Sequence, residues 1–208
     1  MIAALGQTIA PAAFVTDLAA ARALLDDDPR VGRAWRVKRA YGMAGRAHRV
    51  VAPRPRAEQL AFLPAWVEAG GVQIEPDVAI DREWALHGVI DAGGVRLGVV
   101  DAIDAGGVRL GVVDAGGVRL GALTRQRAVR GAWVGSERAP MPEDAAVAAE
   151  VERAARDAAG ALAAAGYFGP FGLDAFAWRD LEGRAHLRAR GEVNARYTMG
   201  FATGYGRP

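Results

Sequence analysis

The octapeptide Asp-Ala-Gly-Gly-Val-Arg-Leu-Gly occurs three times in one stretch of the chain, at residues 91–98, 104–111 and 114–121. Each copy fits a β-hairpin: an apolar strand enters, Asp-Ala-Gly-Gly turns, and Val-Arg-Leu leads out. The copies start 13 and then 10 residues apart, too irregular and too few for a solenoid. Removing the 23 residues 91–113 runs His87-Gly88-Val89-Ile90 directly into residues 114–120, which is one ordinary hairpin. The repeat therefore reads as a tandem duplication within a hairpin loop, its extra copies extending a sheet or protruding.

The flanking pattern is mixed. Residues 16–25 read as a short helix, with Asp17 near its start and Asp26-Asp27-Asp28-Pro29 ending it. Residues 35–38 read as a strand, 41–46 as a glycine-containing loop, and 48–51 as the returning strand. Strand, glycine loop, strand is not the strand-loop-helix of a P-loop, and the Walker spacing is missing. Residues 57–69 are expected to form one helix with Leu60, Leu63, Trp66 and Val67 inward, closed by Gly70-Gly71. Residues 72–76 are a short strand ended by Pro76. The clearest helix spans 143–165, with Glu143 and Asp144 suited to its first turn and Gly166 to the position after its end. Val147, Val151, Ala154, Ala158 and Leu162 form its apolar stripe, and its many alanines permit close packing on a sheet. Residues 173–178 and 186–193 read as antiparallel strands joined by a turn at 180–183.

Composition narrows the chemistry. Zero cysteines exclude disulfides, thiolate metal sites and cysteine nucleophiles. No run of about 18 apolar residues suggests a membrane helix. The apolar N-terminus lacks the basic region of a signal peptide, so a cytoplasmic location is expected. Net charge is only +2. Arginines concentrate between Arg30 and Arg56 without the interleaved aromatics of a base-stacking surface, which favours the phosphates of a small nucleotide over nucleic acid. The chain has one lysine, Lys38, and one asparagine, Asn194. Both residues use A-rich codons, so in what reads as a GC-rich gene they are candidates for positions where a substitute would fail.

Asn194 lies two residues after Glu192, and on a strand such residues project to one face. Asp174 lies on the preceding strand, where hairpin pairing would bring its carboxylate beside Glu192. Two carboxylates and an amide oxygen suit magnesium, a hard cation that takes oxygen ligands. Arg196 continues the alternation and would clamp a phosphate or carboxylate. Lys38, a compact charge beside the loop of Gly42, Met43, Ala44, Gly45 and Arg46, suits nucleotide phosphates covered by loop N–H groups. His48, His87 and His186 show no metal spacing and read as structural or exposed.

This order of features resembles the ATP-grasp superfamily. It has a lysine strand and glycine loop, a helix, a hinge strand ending Glu75-Pro76, a hairpin, a long helix, Gly172-Leu173-Asp174, and Glu192-Val193-Asn194-Ala195-Arg196 running on to Tyr197-Thr198-Met199-Gly200. The last segment is similar to the Glu-x-Asn magnesium motif of ATP-dependent carboxylate–amine ligases. The resemblance implies an α+β fold, two subdomains with antiparallel sheets clasping a nucleotide, plus the repeat-expanded hairpin. It implies a helical lead-in over 1–34, a lid subdomain over 35–75, and a core subdomain over 76–208. Lys38 would hold the α- and β-phosphates under the Gly42–Arg46 lid, the backbone at Ile74 would meet adenine, and Glu75 would lie near the ribose. Asp174, Glu192 and Asn194 would hold magnesium or manganese, with Arg196 catalytic beside the γ-phosphate or acyl phosphate. ATP would phosphorylate a carboxylate, and an amine or thiol would displace the phosphate. Such enzymes carry a further N-terminal subdomain, so a fragment, or a partner chain supplying that part, is expected. The alternative is a non-catalytic nucleotide-binding or interaction module whose contact surface is the repeats.

Overall fold

The chain, described by a computed structural model over residues 8–40, 48–91, 117–129, 132–141 and 143–206, is an α+β protein built on two antiparallel sheets. It divides into two compact units. The first comprises residues 1–81, 130–132 and 177–186, and the second residues 82–129, 133–176 and 187–208.

In the first unit, strand β1 (Ala13–Val15) and helix α1 (Leu18–Asp26) lead to β2 (Ala34–Arg39) and β3 (His48–Val51), then α2 (Leu63–Glu68) and β4 (Val72–Asp77). The strands pair antiparallel in the order β1-β4-β2-β3. Alternation along β2 and β4 sends Trp35, Val37, Val72 and Ile74 into a core with Ala21, Leu25, Leu60 and Leu63. Asp17 stands just outside α1 and caps it, its carboxylate accepting the Ala20 N–H at 2.8 Å. The single helix expected over 57–69 is instead a 3₁₀ turn, Ala57–Leu60, followed by α2. Pro64 explains the break: it has no N–H to donate back to Leu60, so it begins a helix but cannot continue one. Strand β1 is too short to show a period in the sequence.

The second unit is built on β5 (Ala79–Ile90), β6 (Val118–Leu120), β7 (Thr124–Val129), β8 (Ala132–Arg138), α3 (Ala145–Ala164), β9 (Gly169–Arg179), β10 (Ala185–Asn194) and the short α4 (Phe201–Gly204). Its sheet runs β10-β9-β5-β7-β8, with β6 also pairing β5. Strands β7 and β8 have no counterpart in the sequence reading, because neither alternates apolar with polar residues: β7 is polar on both faces over 124–127, and in β8 Gly135-Ser136-Glu137 follows Trp133-Val134. On α3 the buried face is Ala148, Val151, Ala154, Ala155, Ala158, Ala159 and Leu162, so Ala148 replaces the expected Val147. Glu143 and Asp144 precede the helix rather than filling its first turn. Asp144 accepts from Trp84 Nε1 at 3.0 Å and Arg125 Nε at 2.7 Å. At the far end Gly166 takes φ 81°, and the N–H groups of Gly166 and Tyr167 donate back to Ala163 and Leu162, each at 2.9 Å. This is the glycine-terminated helix end expected at that position.

Most of the repeat lies outside the described residues, but its two flanks are placed. Ile90 pairs with Val118, Val89 with Arg119 and Gly88 with Leu120. The Asp91 N–H donates to the Gly117 carbonyl at 3.0 Å, and Arg119 pairs with the Asp91 carboxylate at 3.0 Å. Deleting residues 91–113 puts Asp114 in the place of Asp91, with the same pairing partners and a far shorter loop. We expect that variant to fold and to be more stable by about 1 kcal/mol, from reduced loop-closure entropy. Thermal and urea unfolding test this, and loss of a cooperative transition would contradict the duplication reading.

Candidate functional site

The first unit contributes the polar face of its sheet. Lys38 and Arg36 point away from the core, on the face opposite Trp35 and Val37. Lys38 Nζ pairs with Glu75 Oε1 at 2.6 Å, and Arg36 pairs with Asp77. Glu75 is 3% exposed, so its charge is matched at close range by the sole lysine. His48 stands opposite Lys38 in the register, and burial followed by the Arg36 and Lys38 charges lowers its pKa. The Ile74 side chain is fully buried in the core. Gly42, Met43, Ala44, Gly45 and Arg46 lie outside the described residues.

The second unit brings three of the expected ligands together. Asp174 sits on β9, and Glu192 and Asn194 sit at the end of β10. Asn194 Nδ2 donates to Asp174 Oδ2 at 3.1 Å, and Gln126 Nε2 donates to Asp174 Oδ1 at 2.8 Å. Both oxygens of Asp174 are thus held by neutral amides. Burial, then the charges of Glu192 and Glu83, push its carboxyl up to about 7, against the opposing hydrogen bonds. Arg196 is not on the strand as alternation had implied. Strand β10 ends at Asn194, and the Arg196 N–H folds back onto the Asn194 carbonyl at 2.9 Å. From that tight turn its Nη2 donates to Asn194 Oδ1 at 3.1 Å.

Two members of this face escaped the sequence reading. Glu83 and Gln126 are cross-strand partners on β5 and β7, on the face toward Asp174, while their neighbours Trp84 and Arg125 turn to Asp144 before α3. Neither belongs to a recognisable motif. Only the pairing of β5 with β7 brings them to Asp174. A pocket of about 160 Å³ lies beside Gln126, lined by Arg125, Arg127, Gly135, Ser136 and Glu137.

Beneath the segment that follows Asn194, His87 is 1% exposed, and burial lowers its pKa to about 4. Its Nδ1 and the Thr198 hydroxyl are buried without hydrogen-bond partners. A Cβ on Gly204 would come within 2.8 Å of His87 Nδ1, so glycine is required for α4 to close over the ring. His87 is structural, as its lack of metal spacing suggested. His186 stacks on Trp178 and hydrogen-bonds the Asp180 carboxylate at 2.9 Å.

The donor set fits magnesium. Among the described residues no three His, Cys, Asp or Glu side chains converge on one point. The oxygens of Asp174, Glu192 and the Asn194 amide are of the hard type that magnesium takes, although in this structure both Asp174 oxygens and Asn194 Oδ1 accept hydrogen bonds. Burial and the neighbouring carboxylates hold the proton on Asp174, and a divalent ion beside it would favour the ionised form.

No protein-family model and no curated protein matches the sequence. Solved structures do match the fold. An N5-carboxyaminoimidazole synthetase from Staphylococcus aureus, complexed with ADP, superposes with TM-score 0.59 at 12% identity, covering 95% of this chain and 43% of that one. The chain has the ATP-grasp fold. A biotin carboxylase from Campylobacter jejuni, in a β,γ-ATP complex, gives TM-score 0.60 at 17% identity, covering 97% of this chain and 40% of that one. An N5-carboxyaminoimidazole ribonucleotide synthetase from Thermus thermophilus gives TM-score 0.55 at 21% identity, covering 94% of this chain and 43% of that one. The chain therefore spans about two fifths of the length of these ATP-grasp proteins. No helix among the described residues is long and apolar enough to cross a membrane.

Asp174 makes stability depend on pH. Folded, it keeps its proton to about pH 7, whereas an unfolded aspartate loses it near about pH 4. Its contribution is therefore full below the lower value and is lost as pH rises through the upper one. His87 acts in the opposite sense, destabilising the fold as pH falls below its ordinary value. Relative to wild type, metal-free Asp174→Asn should gain stability steadily between about pH 4.5 and 7.5. Urea midpoints across that range test this, and a constant difference between the two proteins would contradict the assignment.

Proposed function

We propose that this ATP-grasp domain binds Mg-ATP and serves a carboxylate–amine, or carboxylate–thiol, ligase. The observation that carries the reading is the hydrogen bond from Asn194, the last residue of β10, to Asp174 in the middle of β9, with Glu192 close enough to act on the Asp174 carboxyl through its charge. The ADP and ATP complexes formed by the similar structures support it. In the first unit, Lys38 would take the α- and β-phosphates, exchanging its present pairing with Glu75 for phosphate oxygens. The Ile74 backbone would meet adenine, Glu75 would lie near the ribose, and residues 42–46 would cover the phosphates. In the second unit, Asp174, Glu192 and Asn194 would hold the metal, with Gln126 fixing the orientation of Asp174.

ATP would supply the phosphoryl group that turns a substrate carboxylate into an acyl phosphate, from whose acyl carbon the amine or thiol would displace phosphate. The chain's own task is positioning and charge neutralisation, with Arg196 facing the transferred group. Nothing in this needs a cysteine or a histidine base. Substrate selection and turnover would depend on the part of such enzymes that this chain does not span, whether in a longer chain or in a partner. The cytoplasm is the expected location.

Calorimetric titration of the full chain with ATP should show binding that requires magnesium or manganese. Lys38→Ala should weaken ATP binding about tenfold or more, the effect of losing one charge-assisted contact. Asn194→Ala should mainly reduce the dependence on metal. Equal ATP affinity with and without metal in the wild-type chain would overturn the reading. Hydroxylamine trapping of an acyl phosphate, in the presence of carboxylate and ATP, separates a ligase from a domain that only binds nucleotide.

A further inference from the structure

The amide of Asn194 is oriented the wrong way for a metal ligand. Its Nδ2 donates to Asp174 Oδ2 at 3.1 Å, and its Oδ1, the only atom that could ligate a cation, accepts from Arg196 Nη2 at 3.1 Å. Arg196 is further steadied by the Tyr197 carbonyl at 3.4 Å and by its own N–H on the Asn194 carbonyl. Gln126 occupies the other Asp174 oxygen at 2.8 Å. The four side chains form one directed chain: Arg196 donates to Asn194, Asn194 donates to Asp174, and Gln126 donates to Asp174 from the far side.

Turning the Asn194 amide over would present Oδ1 to a cation shared with Asp174. The same rotation swings Nδ2 toward Arg196, where two donors would face each other with no acceptor. A guanidinium has no acceptor atom, so Arg196 would have to leave. From this we infer that Asn194 is a two-position switch: a cation at Asp174 and the Arg196–Asn194 hydrogen bond exclude one another, so metal binding releases Arg196 for an anion. The inference rests on the metal-site reading above. By linkage, whatever holds Arg196 on Asn194 weakens metal binding, and whatever draws Arg196 away strengthens it by the same factor. The charge of Arg196 becomes available only when the metal is in place, which orders the assembly of the site.

Asn194 is the only asparagine in the chain, so labelling asparagine with nitrogen-15 gives a single side-chain NH₂ pair that needs no assignment. That pair should shift as magnesium is titrated into the full chain with ADP present. Without nucleotide, Arg196→Ala should tighten magnesium binding about threefold to tenfold, the weight of one hydrogen bond. Its side chain is exposed, so the variant should fold as the wild type does. Arg190→Ala is the control for charge, because it removes an equal charge from β10 just before the turn that carries Arg196, where alternation puts Arg190 on the Glu192 side. Tighter binding in Arg196→Ala than in Arg190→Ala, with a moving amide signal, supports the switch. Equal effects in the two variants, or an unmoved amide while magnesium and ADP bind, overturn it and leave the Mg-ATP reading intact. A wild-type chain that binds no magnesium even with ADP overturns both.

Discussion

Strand alternation is the constraint on which both units depend. A strand sends successive side chains to opposite faces, so a sheet covered by helices on one side is left with a free row of alternate residues on the other. In the first unit the helix-facing row is Trp35, Val37, Val72 and Ile74, and the other row holds Arg36, Lys38, Glu75 and Asp77. In the second unit Trp84 and Arg125 turn toward Asp144 at the start of α3, and the opposite row gathers Glu83, Gln126 and Asp174. Polar groups and core are thus interleaved along the same strands. A one-residue slip in register would bury the charges and expose the core.

Where the site comes from follows from this interleaving. Asp174, on β9, is surrounded by residues from β5, β7 and β10, and of these only β10 is close to β9 in sequence. Burial and neighbouring carboxylates hold its proton on, and two amides hold its oxygens. Among the described residues no cation pairs directly with this carboxyl, although Arg196 stands one side chain away on Asn194. The first unit shows the opposite solution: buried Glu75 is matched directly by Lys38. One carboxylate is matched by a lysine, and the other is held by two neutral amides.

Legibility in the sequence follows the range of the signal. Helix α1, strands β2 to β4, helix α3 with its Gly166 end, and the β9–β10 hairpin all carry local periods or caps, and all are legible within a few residues. The break at Pro64 is hidden because the apolar spacing continues across it. Strands β7 and β8 are hidden because neither alternates apolar with polar residues: β7 sets Arg125 and Arg127 against Thr124 and Gln126, and β8 runs from Trp133-Val134 into Gly135-Ser136-Glu137. The repeat shows both sides of the matter. Its duplication is visible in the letters alone, yet only the pairing of Ile90 with Val118 shows that the third copy is the one that closes the hairpin.

The sequence by itself determined the donor types and their local spacing: one lysine on a strand before a glycine loop, and a Glu-x-Asn segment on a strand end after Asp174. Those are properties of neighbours a few residues apart, where backbone geometry allows few arrangements. Only the tertiary structure decided that Gln126 and Glu83 join Asp174, that Arg196 reaches Asn194 from a turn, and which way the Asn194 amide points. Each of these rests on a contact across strands or on the rotation of a single side chain. Both depend on the balance of charge and hydrogen bonding in the folded site, which no local pattern encodes.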